Sequence, residues 1–242
     1  MLFRLFKGAF SGQKAPHGAG DAEPNPLVTW FVKHSGRGIH KVDGYLDVYH
    51  RHFSRYRGRS PVLLEIGVSF GGSLAMWHDY FGPGCHVYGV DIAPECKAFS
   101  DETTTIIIGD QADRAFLARL RAEVPRPDIL IDDGGHRMEQ QIATFEELYP
   151  HLADDGVYAC EDLHTSYWSE FGGGVRQDGS FVEFSKHLID QLNSWHWENQ
   201  EAAAVSEFTR TSYAMHYYNS MLVIEKRRMK APDQIKAGRF SL

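Results

Sequence analysis

The sequence has little of several things that would have decided its class at once. Cysteine occurs three times in 242 residues, as Cys85, Cys96 and Cys160. The number is odd, the spacing is wide and no CxxC pair occurs, which argues against a disulfide framework or a cysteine zinc site and for free thiols in a reducing, cytoplasmic compartment. Positive charge is in deficit: the net charge is -7. Such a chain is a poor general binder of nucleic acid, which depends on Lys and Arg neutralising phosphates. No apolar run approaches the length of a membrane span, so stable insertion is not expected. There is no internal repeat and no long low-complexity tract. With 43% hydrophobic residues, the composition suits one globular domain large enough to enclose a two-faced sheet.

The start, "MLFRLFKGAF", is amphipathic and basic but lacks a long apolar segment and a signal cleavage site. It reads as a surface or oligomer-contact helix, so a homo-oligomer is expected, with membrane-surface contact as the alternative. Residues 11–26 are rich in Gly, Pro and small residues and read as a linker. The resulting division is an arm and linker over 1–26, a helical segment over 27–59, a main domain over 60–230 and a tail over 231–242.

From Ser60 onward, short apolar runs alternate with helix-forming stretches. "PVLLEIGV", "CHVYGVDI", "TTTIIIGD", "PDILIDDG" and "GVYACEDL" read as strands. "GGSLAMWHDYF", "QADRAFLARLRAEV" and "RMEQQIATFEELYPHL" read as helices, the last with Ile142, Phe145, Leu148 and Leu152 at helical spacing. This alternation implies an α/β fold with a mostly parallel sheet covered on both faces. A Gly-rich insertion, a long helix "FVEFSKHLIDQLNSWHW", a strand around "AVSEFTRT" and a final strand "SMLVIEKR" follow. The last suits an edge or antiparallel addition to the sheet.

Ligands of open α/β sheets bind at the carboxyl ends of the strands. There the chain places Glu65, Gly67, Gly71, Gly72 and Ser73, then Asp91, then Asp110 and Gln111, then Asp132, Asp133 and His136, then Glu161, Asp162 and His164. Acid closes all five runs, which core packing does not require. The turn "EIGVSFGGS" is not GxGxxG, so the dinucleotide fingerprint is broken, although Gly67 and Gly71 would admit a ligand close to the backbone. Asp91 can accept hydrogens from ribose hydroxyls or cap the next helix. Asp110 and Gln111 can bond an adenine amino group, while Asp110 or Asp113 can instead cap a helix. Asp133, Glu161 and Asp162 on neighbouring strand ends would repel unless a cation or protons neutralise them. Oxygen donors suit Mg²⁺, Mn²⁺ or Ca²⁺ better than zinc. The competing structural reading has Glu161 or Asp162 capping a loop and Asp132 facing solvent. In an all-oxygen site His136 is expected to be a base rather than a ligand, because its intrinsic pKa lies near neutrality. A hydrogen-bonded structural imidazole is the alternative.

The stretches "HKVDGYLDVYHRHF", "LLEIGVSFGGSLAMW", "YGVDI", "IIIGDQAD", "DILIDDGGHRMEQQIATF" and "YACEDLHTSYW", taken together and in this order, resemble the class I S-adenosylmethionine-dependent methyltransferases. Within them they are similar to the metal-dependent sugar O-methyltransferases of macrolide (mycinamicin-type) and related antibiotic pathways. The resemblance implies a Rossmann-like fold, S-adenosylmethionine as co-substrate, Mg²⁺ or Mn²⁺, and a small-molecule or glycosylated acceptor. By position it implies that Glu65, Gly67, Gly71 and Ser73 surround the methionine part of the cofactor. It gives Asp91 the ribose, Asp110 and Gln111 the adenine side, and Asp133, Glu161 and Asp162 the metal, with Asp133 also on the cofactor side. His136 would be the base, and Lys41, Tyr45 and Tyr49 would close over the site. A catechol-like diol offers the same adjacent oxygens and remains a second acceptor class. Oxidation at the same site is disfavoured by the lack of a two-histidine iron set. A non-catalytic cofactor-binding subunit is disfavoured by the full set of acids.

Overall fold

The structure, a computed structural model, describes residues 24–198 and 205–238. The amphipathic start and most of the expected linker lie outside these residues, and with them the expected oligomer contact.

Seven strands form one sheet in the order β3-β2-β1-β4-β5-β7-β6. They are β1 (Val62–Ile66), β2 (His86–Asp91), β3 (Thr104–Ile108), β4 (Ile129–Asp132), β5 (Val157–Cys160), β6 (Ser212–Tyr218) and β7 (Met221–Lys226). The first five are parallel, whereas β7 runs antiparallel beside β5 and β6 antiparallel beside β7. The expected fold class is therefore present. The expected single antiparallel addition is a hairpin, and its outer strand begins later than expected. Glu207–Thr211 of "AVSEFTRT" form a short helix, α7, because Ser206 and Thr209 make a reciprocal capping box there.

The helices preceding it are α1 (Pro26–Lys33), α2 (Tyr45–Phe53), α3 (Gly72–Phe81), α4 (Arg114–Glu123), α5 (Met138–Leu148) and α6 (Phe181–Leu192). They cover both faces. Period-two alternation in β1 sends Leu63 into a core shared with Tyr49, Phe53 and Trp77, and sends Leu64 and Ile66 into the opposite core with Leu117, Phe145 and Leu148. The helical segment before Ser60 thus packs into the same core as the sheet. Within it, Tyr45, Tyr49 and Phe53 at helical spacing are all buried on one side of α2.

The sheet leaves a crevice where β1 is flanked by β2 on one side and β4 on the other. Strand order reverses there: the chain adds β2 and β3 on one side of β1, then β4 and β5 on the other. The candidate residues border this crevice.

Candidate active site

The turn after β1 comes very close to the turn after β4. Gly67 has φ +97°, and a Cβ at this position would stand 2.0 Å from the Asp133 carbonyl oxygen. Gly67 donates its N–H to Val90, and Asp133 donates its N–H to Ile66. A side chain at Gly67 would therefore push apart the two loops that form the crevice floor.

One lobe of the crevice, about 210 Å³, is lined by Gly67, Asp91, Asp110, Gln111, Asp133 and Gly134 among others. The other, about 520 Å³, is bordered by Lys41, Tyr45, Gly67, Ser73, Asp133, His136, Glu161 and Asp162 among others. Gly67, Ser69, Asp133 and Gly134 belong to both, so the two lobes form one continuous groove.

In the smaller lobe, Asp91 Oδ2 accepts the N–H groups of Val68 and Ser69, and Oδ1 accepts that of Ala93. Burial pushes this carboxyl up, but the three backbone donors prevail and hold it below the ordinary Asp value. Of roughly four acceptor sites on a carboxylate, about one is left for a ligand hydroxyl. Asp110 Oδ1 accepts from Ala112 in a local turn. Asp113, the other capping candidate, caps α4 through Ala115.

Gln111 is placed differently from the sequence expectation. Its amide nitrogen donates to Asp132 Oδ1 and Thr144, and its carbonyl accepts from Gly135 N–H. Both amide hydrogens are committed, so the side chain props the β4 loop, and toward an adenine amino group it keeps only a carbonyl lone pair. Asp132 likewise departs from the reading that faced it to solvent. It is 0% exposed, and burial pushes its carboxyl up to about 7 against the hydrogen bond from Gln111.

Glu65 and Ser73 lie beneath the larger lobe. Ser73 Oγ and Trp77 Nε1 both donate to the Glu65 carboxylate. Glu65 is fully buried, and burial raises it to about 7. It lines neither lobe; Ser73 does reach the surface of the larger one. Gly71 lines neither lobe and instead provides the left-handed residue before α3.

The acids of β4 and β5 meet at the centre. His136 Nε2 is 3.4 Å from Asp162 Oδ2 and 3.9 Å from Asp133 Oδ1. One ligand atom from each of these three residues lies within 4.8 Å of the others. Glu161 is on the same strand end but turns inward, where Lys41 and Tyr49 donate to it. Lys41 also donates to Asp133 Oδ2. Burial alone would discharge this lysine, yet Asp133, Glu161 and Glu65 outweigh burial and hold its ammonium charged. For Glu161, burial and Asp133 push the carboxyl up, against Lys41 and Tyr49.

The expected all-oxygen triad is therefore arranged as two groups. Asp133, His136 and Asp162 face the groove, and Glu161 sits behind them on Lys41. A single ammonium opposes Asp133, Glu161 and Glu65, with Asp162 close by. Negative charge is in excess, and carboxylate oxygens of Asp133 and Asp162 face the groove beside the His136 imidazole. This donor set fits a small divalent cation.

Two backbone positions hold these side chains in place. His136 (φ +55°) and Asp162 (φ +55°) both adopt the left-handed conformation uncommon for non-glycine residues. Thr165 Oγ1 donates to the carbonyls of both His136 and Asp162, tying the two loops together. Tyr45 OH donates to Asp162 Oδ1 and to Ser220 O, and accepts the Asp162 N–H. His136 Nδ1 is buried without a hydrogen-bond partner. Sequence reasoning missed Thr165 and Ser220, and of the wall formed by Gly38–Val42 it named only Lys41, through the resemblance.

A family model described as "Methyltransferase domain" matches residues 64–163, the stretch that carries the carboxyl ends of β1 to β5. By this match the stretch is similar to class I methyltransferase domains. It is 36% identical, over 86% of its length and 57% of the relative's, to the 8-demethyl-8-alpha-L-rhamnosyl tetracenomycin-C 2'-O-methyltransferase of Streptomyces olivaceus. It is 35% identical, over 84% of its length and 49% of the relative's, to the mycinamicin VI 2''-O-methyltransferase of Micromonospora griseorubida. Among solved structures, the MycE methyltransferase from the mycinamycin biosynthetic pathway in complex with Mg and SAH superposes with a TM-score of 0.75 at 30% identity. That match covers 86% of this chain and 56% of MycE. The chain thus spans roughly half to three-fifths of the length of the curated relatives it matches. No helix among the described residues is long and apolar enough to cross a membrane.

Proposed function

We propose that this chain transfers a methyl group from S-adenosylmethionine to a hydroxyl of a sugar on a glycosylated natural product, with a divalent cation and with His136 as general base. The convergence of Asp133, His136 and Asp162 on one wall of a two-lobed groove carries this reading. The relatives named as sugar O-methyltransferases and the MycE complex with Mg and SAH support it.

In this reading the smaller lobe takes the nucleoside. Asp91 offers its remaining acceptor site to a ribose hydroxyl, and Asp110, with the Gln111 carbonyl beside it, takes the adenine side. Gly67, Ser69 and Ser73 border the path from the nucleoside toward the larger lobe. Asp133 and Asp162 would hold Mg²⁺ or Mn²⁺, and Glu161 would join them once Lys41 withdraws from it. When bound, such a cation lowers the pKa of a coordinated hydroxyl and fixes its orientation. His136 Nε2, beside both acids, takes the hydroxyl proton. Asp162, itself fixed by Tyr45, keeps the imidazole turned toward the acceptor. Alignment of the reactants contributes on the order of 7–11 kcal/mol in well-oriented reactions, and proton removal a further ~10²–10⁴-fold in rate.

Incubation with labelled S-adenosylmethionine, Mg²⁺ and a panel of rhamnosylated and other deoxysugar glycosides beside catechols tests the proposal. Label on a glycoside hydroxyl, lost in EDTA, is the expected result. Turnover of catechols alone, or label transfer that ignores EDTA, would reject it.

A further inference from the structure

A second group of metal-ligating side chains lies away from the groove. His52 comes from the C-terminal turn of α2, His216 from β6 and Glu225 from β7. One nitrogen or oxygen from each lies within 4.8 Å of the others. In the hairpin register Glu225 pairs with Ala214 and His216 with Val223. His216 and Glu225 therefore project diagonally from the same sheet face, the one covered by α2. His52 is 5% exposed.

The distances have the scale of a coordination shell. Glu225 Oε1 is 2.8 Å from His52 Nδ1 and 3.7 Å from His216 Nε2. Tetrahedral zinc with bonds near 2.0–2.2 Å separates its ligand atoms by roughly 3.3–3.5 Å. Shifts of a few tenths of an ångström would place all three around one ion. His216 Nε2 is closed off from solvent and has no hydrogen-bond partner, so a nitrogen facing the carboxylate is left uncompensated.

An outer shell is also in place. The far nitrogen of His52, Nε2, is 2.9 Å from Tyr218 OH. The His216 ring stacks on Tyr218 with an interplanar angle of 21°. A metal-bound imidazole ordinarily has its second nitrogen held by such a partner, which fixes tautomer and orientation. Without a metal, Nδ1–H of His52 donates to Glu225; moving the ring hydrogen to Nε2, where Tyr218 OH can accept it, would free Nδ1 to ligate.

We propose that His52, His216 and Glu225 bind a divalent transition-metal ion of the zinc class, with water in the fourth position. Two imidazoles and one carboxylate favour zinc over magnesium, which prefers oxygen donors and keeps its waters. The ion would staple α2 to the β6–β7 hairpin. Because α2 also carries Tyr45 and Tyr49, the staple fixes the helix that fastens Asp162 and Glu161 without itself reaching the groove.

The test uses the metal-stripped full chain, zinc calorimetry and cobalt(II) absorption. Asp162→Asn weakens the groove cluster, so zinc binding lost when a distal substitution is added to that variant reports the distal site. Asp162→Asn should bind one equivalent of zinc and gain melting temperature, and its cobalt form should show the visible bands of low coordination number. Adding His216→Ala should weaken zinc binding by more than the roughly 10–100-fold typical of losing an outer-shell partner, and should abolish the cobalt bands. His216 is partly exposed, so the variant is expected to fold. Should it melt early without metal, Glu225→Gln carries the same test, because glutamine keeps the hydrogen bond from His52. Zinc binding by Asp162→Asn that neither substitution changes, or no zinc binding by Asp162→Asn at all, overturns the proposal.

Discussion

Lys41 Nζ lies 3.0 Å from Glu161 Oε2, with the two side chains only 4% and 1% exposed. They are far apart in the chain, and their pairing joins the segment before α2 to the end of β5. An ion pair sealed this well is costly to break from one side, because the remaining charge loses both its partner and its water.

Lys41→Met should therefore lower unfolding stability by about 3–5 kcal/mol at neutral pH. Methionine keeps the length of the side chain, so the loss reports charge more than volume. Urea unfolding measures it. Mg²⁺ should restore part of the loss in the variant, since a cation at Asp133 and Asp162 would replace the missing positive charge. A loss that Mg²⁺ leaves untouched argues against a cation near Glu161.

His136→Ala should lower turnover by roughly 10²–10⁴-fold while leaving affinity for S-adenosylhomocysteine nearly unchanged. The side chain faces Asp162 and Asp133 in the larger lobe and does not line the smaller one. Steady-state rates and calorimetry on the same preparation check both halves. A matching fall in cofactor affinity contradicts the role as base.

Asp162→Ala should raise the Mg²⁺ concentration needed for half-maximal activity, and EDTA should silence the unmodified chain. The variant also deprives Tyr45 of one acceptor, but Tyr45 keeps the Ser220 carbonyl, so the fold should survive. Metal-titration kinetics give the answer; full activity in EDTA removes the cation from the mechanism.

Glu65 gives stability a pH dependence of definite sign. Burial raises its carboxyl from 4.5 to about 7, so between those values the folded chain holds a proton that the unfolded chain has released. Its contribution to stability is complete below about 4.5 and falls as pH rises to about 7. The full loss is on the order of 3 kcal/mol at 1.36 kcal/mol per pKa unit. Glu65→Gln should remove this component, so its unfolding free energy relative to the unmodified chain should improve between pH 4 and 8. Parallel pH curves for the two chains would refute the assignment.

Gly67→Ala should cost more than about 1 kcal/mol, because the backbone there is left-handed and the added methyl meets the Asp133 carbonyl. The displaced loop carries Asp133, so activity should fall with stability. Chemical denaturation and turnover measured together test this; an unaltered midpoint would show that the two turns separate without penalty.

Much of the fold could be read along the chain, because alternation of apolar and polar residues is a local property. The parallel strands and their helices follow from it, and so does acid at every strand end. The β6–β7 hairpin was only half legible: "SMLVIEKR" announces a strand, but the capping box at Ser206 and Thr209 that shortens the preceding one depends on two hydroxyls finding each other. In the site, Asp133, His136 and Asp162 were legible as a cluster because the β4 and β5 turns are neighbours in any doubly wound sheet. The hydrogen bond that ties Gln111 to the buried Asp132 was not legible, since a polar residue at a strand end looks the same whether it faces a ligand or a buried partner.

The sequence alone determined the class of the sheet, the crevice at the strand ends and the acidity of its walls, all of which rest on residue type and short spacing. Only the tertiary structure decided which acid faces the groove and which is buried. Lys41 arrives over Glu161 from a segment far away in the chain, and Tyr49 joins it from α2. The same packing of α2 brings His52 to His216 and Glu225. Desolvation and charge pairing depend on distance in space, and distances between remote segments are set only when the core closes.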